Sequence, residues 1–247
     1  LLRLVAHAHC NLLRVWGGGL LESEKFCDWC DRLGILVWQE FPLSSSGIDN
    51  RPPTDAVYLD YIASEARQMV PLRRNHPSLA LWCGGNELMD DGGRPLTDSH
   101  PALARLKAVV SELDPERGWL PSSPSGPEWH SSPEQAGTGR LHDVHGPWKY
   151  FDDGEHYRHY NTIDPLLHSE FGVDGAANME TLRRFISERF LFPPDESNPA
   201  WVHHGSWWLH RERIEKLFSS VDTLEDFVRA SQWLQAEGLR YAVEAHR

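Results

Sequence analysis

Two glutamates stand where a carboxyl group can do chemistry. Glu87 follows Gly84-Gly85-Asn86 at the end of the apolar run Ser78–Cys83, and Glu170 lies near the end of the run Pro165–Phe171. Two carboxyls held about 5–5.5 Å apart cleave a glycosidic bond with retention: one protonates the leaving oxygen while the other attacks the anomeric carbon. In a parallel βα barrel such groups belong at the C-terminal ends of strands, where the βα loops converge. The two glutamates are 83 residues apart. That is close to three βα units at about 250 residues per eight units. If Ser78–Cys83 is the fourth barrel strand, Pro165–Phe171 is the seventh. Taken singly, Glu87 could be a loop carboxylate and Glu170 a strand end near the surface; it is their joint placement that favours catalysis.

Other residues offer rival chemistry. His142-Asp143-Val144-His145 and His203-His204 could supply metal ligands, which would make the protein a metal-dependent hydrolase. On a strand, however, His142 and His145 point to opposite faces, whereas a zinc site needs ligands converging on one point. Neither a metal nor a cofactor is expected. Cys27 and Cys30 form a CxxC in a helix-like stretch, without a second pair or a Cys/His partner at zinc-finger spacing. With Cys10 and Cys83 they read as buried thiols. The eleven tryptophans are mostly core material, Trp82 included, although a flat ring also stacks on a sugar face. A catalytically inactive barrel that binds carbohydrate through these rings is the alternative from another class. Intact Glu87 and Glu170 argue against it.

The elements that must position these residues follow a βαβ rhythm, the mark of a parallel sheet in the α/β class. Residues 1–9 read as a helix end and Leu12–Trp16 as a strand entering Gly17–Gly19. Helix 22–33 is closed by Gly34, and strand Ile35–Phe41 follows. Helix 54–74, with Pro71 inside it, ends at Asn75-His76-Pro77. Strand Ser78–Cys83, helix Ala102–Leu113 and strand Trp119–Ser122 precede a Ser-, Pro- and Gly-rich loop over 123–140. Strand Leu141–His145 leads through a polar, aromatic loop to Pro165–Phe171. Helices at about 178–190 and 222–246 flank an irregular Trp- and His-rich excursion. The 247 residues, 40% of them hydrophobic, suffice for one core, so a single domain spanning 1–247 is expected. A (β/α)₈ TIM barrel needs two more strands than these six. The expectation is a barrel with strands two to seven present and the first and eighth missing, its edge strands being Leu12–Trp16 and Pro165–Phe171.

A formal charge of −12 makes nucleic acid and anionic membrane surfaces poor partners. No apolar run approaches the ~20 residues of a membrane span. A soluble protein is expected; the opening Leu1-Leu2-Arg3, without methionine, leaves a signal peptide unreadable.

The motifs together resemble glycoside hydrolase family 2, and within it the β-mannosidase branch. Asn11-Leu12-Leu13-Arg14-Val15-Trp16-Gly17-Gly18-Gly19 and Leu36-Val37-Trp38-Gln39-Glu40-Phe41 resemble the family's second and third barrel strands. His76-Pro77-Ser78-Leu79-Ala80-Leu81-Trp82-Cys83-Gly84-Gly85-Asn86-Glu87 looks like its fourth strand, and His168-Ser169-Glu170-Phe171-Gly172 like its nucleophile strand. Ser231-Gln232-Trp233-Leu234-Gln235-Ala236-Glu237-Gly238 is similar to the helix before its last strand. The resemblance implies Glu87 as general acid/base and Glu170 as nucleophile. It places Asn86 on the sugar 2-hydroxyl, Arg14 beside Glu170, Trp16 and Trp148 as pocket walls, and His145 at the end of strand six. Where the family has an aromatic residue that bonds the nucleophile, this chain reads Gly146-Pro147-Trp148; either Trp148 or Tyr150 covers that role, or this subfamily differs. The implied substrate is a β-linked oligosaccharide or glycoside, with an exo-β-glucosaminidase or endo-β-mannosidase as the alternative sugar chemistry. The implied companions are the missing barrel strands and accessory β-domains of a longer parent chain.

Overall fold

The computed structural model describes residues 1–46, 48–152, 154–209, 211–218 and 221–247, save the side chains of Trp207 and Trp208. Among them are six strands: β1 (Leu12–Val15), β2 (Leu36–Glu40), β3 (Leu79–Cys83), β4 (Gly118–Leu120), β5 (Asp143–His145) and β6 (Leu167–Glu170). The helices are α1 (Leu2–His7), α2 (Glu24–Leu33), α3 (Ala56–Arg73), α4 (Pro101–Leu113), α5 (Glu155–Thr162), α6 (Met179–Phe185), α7 (Pro199–His203), α8 (Arg211–Leu217) and α9 (Leu224–Ala245). Strands β1 to β4 form one sheet in chain order with parallel pairings, and β5 pairs with β6. This is the strand–helix alternation of part of a (β/α)₈ barrel.

The described residues divide into two compact units. The first comprises residues 1–129, 138–145 and 165–169; the second comprises 130–137, 146–164 and 170–247.

In the first unit, local chemistry sets the element ends. Gly34, at φ 68°, closes α2 in the left-handed conformation that a β-carbon disfavours. Asp55 caps α3 by accepting from the Tyr58 N–H at 3.0 Å, and Pro101 opens α4, where a missing N–H costs nothing. Val37 to Glu40 of β2 are all buried. Trp82, fully buried, stacks on Phe41 with ring centroids 5.3 Å apart. These rings pack with Ile62, Met69, Leu103 and Leu106 of α3 and α4. Cys27, Cys30 and Cys83 are buried, whereas Cys10 is exposed.

The second unit packs around α9, with Phe227 and Leu234 against Trp201, Ile214 and Leu182. Here the structure departs from the sequence expectation, for the polar, aromatic stretch after β5 contains helix α5. Its buried face is His156, His159 and Tyr160, so the face that packs is made of residues that hydropathy scores as polar. Short helices α7 and α8 likewise lie within the irregular excursion. No helix among the described residues is long and apolar enough to cross a membrane.

Candidate active site

In the first unit the site is built from strand ends. After β3 the chain runs through Gly84 and Gly85, where it passes close to its neighbours. A β-carbon on Gly84 would meet the Pro121 carbonyl oxygen and the Leu103 side chain, and one on Gly85 would lie 2.6 Å from the Leu43 carbonyl oxygen. Asn86 then bridges the segments following β2 and β4, pairing with Ser44 and Ser123. Its N–H donates to Leu43 O at 2.9 Å, and the Glu87 N–H donates to Ser123 O at 2.6 Å. Held this way, Glu87 adopts φ 52°, a left-handed conformation that costs a non-glycine residue on the order of 1 kcal/mol and persists where the surroundings over-determine it.

The side chains form a connected polar set. Arg14, on β1, donates from Nε to Glu40 Oε1 at 2.7 Å and from an Nη to Asn86 Oδ1 at 2.6 Å. Glu40, at the end of β2, is fully buried and also accepts from the Gly17 N–H at 2.7 Å. Burial pushes the Glu40 carboxyl above the ordinary glutamate range, against the opposing pull of Arg14 and the Gly17 N–H. Asn86 Nδ2 donates to Ser44 Oγ at 3.2 Å. Glu87 Oε2 accepts from Ser45 Oγ at 3.0 Å, and Oε1 lies 3.2 Å from His145 Nδ1. The His145 hydrogen bond, with help from Ser45 and Arg14, holds the Glu87 carboxyl below its ordinary range despite desolvation. His145 itself is fully buried, and its Nε2 meets Ser123 Oγ at 2.9 Å.

In the second unit, Trp148 donates its indole N–H to Glu170 Oε1 at 2.9 Å. The backbone supports this contact, because Gly146 N–H donates to Glu170 O at 2.8 Å and Gly172 N–H to Pro147 O at 3.0 Å. Of the two aromatic residues that could meet the glutamate, Trp148 does so, while the Tyr150 hydroxyl donates to Tyr157 at 3.2 Å.

Arg14, Asn86, Glu87 and His145 thus meet in the first unit, and Trp148 and Glu170 in the second. Trp16, half exposed, lies over Gly18 and lines a cavity of about 350 Å³ with Tyr58, Tyr61 and Met69 of α3. Glu40 reaches that cavity, but Asn86 and Glu87 are not among its walls. Of the histidines weighed as metal ligands, His142 is exposed and His145 buried, so those two do not face one point. Asp28, Asp31 and His76 do come within ligand distance of one another. They sit where β3 begins, at the opposite end from Asn86 and Glu87; there Asp31 accepts from His76 and from the Ser78 N–H at 2.9 Å, fixing the start of the strand.

Sequence reasoning missed six contributors: Glu40, Ser44, Ser45, Ser123, Asp143 and Ser169. Two left a signal. Glu40 ends an apolar strand just as Glu170 does, and Asp143 shares a strand face with His145 by the alternation of side chains.

The chain has known relatives. Residues 21–119 match the family model "Glycosyl hydrolases family 2, TIM barrel domain". Beta-mannosidase B of Aspergillus clavatus is 30% identical, and that of Neosartorya fischeri 29%, each over the whole of this chain and 30% of its own length. Among solved structures, the β-D-mannosidase of Dictyoglomus thermophilum superposes with a TM-score of 0.77 at 28% identity, covering 99% of this chain and 30% of that one. The exo-chitosanase of Amycolatopsis orientalis shares the fold at 22% identity and a TM-score of 0.63, over 99% of this chain and 29% of its own. The chain therefore spans about 30% of the length of the curated relatives it matches.

Proposed function

We propose, for a chain that belongs to the family 2 glycosyl hydrolases through their TIM barrel domain, that it supplies both carboxyl groups of a retaining β-glycoside hydrolase acting on a β-mannoside. Glu170 attacks the anomeric carbon while Glu87 protonates the departing oxygen. Glu87 then takes a proton from the water that hydrolyses the glycosyl ester. The observation that carries this reading is that Glu87 follows β3 beyond its double glycine and Glu170 ends β6, each with its carboxylate held by a side-chain donor: Ser45 on Glu87 and Trp148 on Glu170. Retention requires the two carboxyls about 5–5.5 Å apart.

Asn86 is assigned to the sugar 2-hydroxyl, a contact that strengthens in the transition state. Its amide orientation is fixed from both ends by Arg14 and Ser44. Arg14 is assigned to keep Glu170 ionised, and Glu40 orients its guanidinium for that task. Trp16 and Trp148 offer flat walls to a sugar ring, and His145 acts on the substrate through Glu87. The mannoside preference follows from the likeness to β-mannosidases.

The test is kinetic. The first product anomer, followed by NMR on the full-length protein, should retain the β configuration. Glu87→Ala should slow deglycosylation while an activated aryl mannoside is still cleaved, and added azide should restore turnover as the β-glycosyl azide. An inverted product, or no azide adduct together with equal loss on activated and unactivated substrates, overturns the assignment.

A further inference from the structure

Behind Glu87 runs a buried file of polar side chains that the two-carboxyl mechanism does not use. Asp143, on β5, is buried and accepts with both oxygens: Oδ2 from the Ser125 N–H at 2.8 Å and Oδ1 from the Ser169 hydroxyl. Its Ser169 proton is thereby committed, so Ser123 Oγ must donate to Ser169 Oγ, a contact of 2.9 Å. The Ser123 oxygen is then left to accept, and its partner is His145 Nε2 at 2.9 Å. A histidine that donates from Nε2 presents either a lone pair or a second N–H at Nδ1. That Nδ1 faces Glu87 Oε1 at 3.2 Å.

We propose that Asp143, relayed through Ser169 and Ser123, fixes the Nε2–H tautomer of His145 so that His145 and Glu87 share and retain the proton the acid must deliver. This rests on the reading of Glu87 as acid/base and adds positioning residues to it. The shared proton sits on Glu87 Oε1 beside a neutral imidazole, or on Nδ1 beside a carboxylate; the file from Nε2 to Asp143 runs the same way in both. In glycosylation the proton leaves the pair for the departing oxygen as the glycosidic C–O bond breaks. Glu87 is left as carboxylate and His145 neutral. In deglycosylation water attacks the anomeric carbon, the bond to Glu170 breaks, and the water's proton returns to the pair. Over one turnover the pair neither gains nor loses a proton.

The charge of Asp143 at the far end of the file favours the protonated pair. Among the described residues of this unit, Arg14 and Glu40 also face it, and they offset one another as an ion pair. The neighbouring Cys83 thiol is kept neutral by complete burial. Desolvation raises Asp143 somewhat above the ordinary aspartate range, while the Ser169 and Ser125 donors favour the carboxylate form that the file requires.

Two variants of the full-length enzyme separate the possibilities. Asp143→Asn keeps an acceptor but removes the charge; Ser123→Ala cuts the file. Both should move the basic limb of the kcat/KM profile down by about one pH unit on an unactivated glycoside, the effect of losing one nearby charge. On activated aryl glycosides, whose leaving groups need little protonation, the kcat/KM limb should move less than on the unactivated substrate. An unshifted basic limb in variants that keep the wild-type melting temperature overturns the relay. Independently of any variant, ¹⁵N NMR of labelled histidine should show His145 protonated at Nε2, and an Nδ1–H-only tautomer overturns it too. If Glu87→Ala shows azide rescue while the limb stays put, the relay alone fails; if rescue is absent, the acid/base reading fails and takes the relay with it.

Discussion

One guanidinium, that of Arg14, orders much of the first unit's polar set, because its planar fork bonds Glu40 and Asn86 together. Glu40 is its buried counter-ion. Removing one member of a buried ion pair costs about 3–5 kcal/mol, since the remaining charge is left uncompensated. Glu40→Gln should therefore lower the melting temperature by several degrees and free Asn86 to rotate, cutting kcat/KM by roughly 100-fold or more. Wild-type activity together with a wild-type melting curve would show the pair to be idle. In the second unit, Trp148→Phe keeps a ring but deletes the N–H that meets Glu170. A hydrogen bond to a charged group is worth about 1.5–3 kcal/mol, so kcat/KM should fall by about 10- to 100-fold while the fold survives. A smaller effect than a few-fold would show that Glu170 does not depend on this donor. Trp148 was legible before the structure, but only as one of two candidates with Tyr150.

Among the elements, β3 and its continuation do most to place chemistry. Five residues, Leu79–Cys83, run parallel between β2 and β4, and two glycines then let the chain slip past Pro121 and Leu43. Gly84→Ala forces a methyl against backbone as well as the Leu103 side chain. Overpacking of this kind typically costs 1–3 kcal/mol. The expected outcome is a less stable protein whose activity falls further than its stability, since Asn86 and Glu87 are carried along with the displaced backbone; unchanged kinetics in the folded variant would refute the link. The strands were readable because their apolar runs are short and bounded by glycine and proline. Helix α5 was not. Its inward face is histidine and tyrosine, so the 3.6-residue apolar stripe that announces a helix is missing from the letters.

For the whole molecule, those same histidines set an acid limit. His159 has its titration pushed down to about 4 by burial, and His156 is lowered for the same reason. An unfolded chain protonates these groups near their ordinary value of about 6.5, whereas the folded one resists. Stability is therefore full above that value and drains away as pH falls toward about 4. His159 alone accounts for a loss on the order of 3 kcal/mol. Calorimetry should show the melting temperature falling steeply between pH 6.5 and 4, and His159→Phe should flatten the slope. An unchanged slope in that variant would place the acid sensitivity elsewhere.

By itself the sequence determined the order of the six strands and the placement of Glu87 just beyond one strand and Glu170 at the end of another, because hydropathy period and glycine punctuation are local properties that neighbouring residues settle among themselves. It also determined that Trp82 is core. The partnerships were another matter. That Arg14 is neutralised by Glu40, and that Asp143, Ser169, Ser123 and His145 form one file behind Glu87, depends on strands far apart in the chain ending in register. Serine and aspartate carry no signature for this until burial removes water as their alternative partner. Tertiary structure decided those contacts, for only in the folded chain does each lone pair face a single donor.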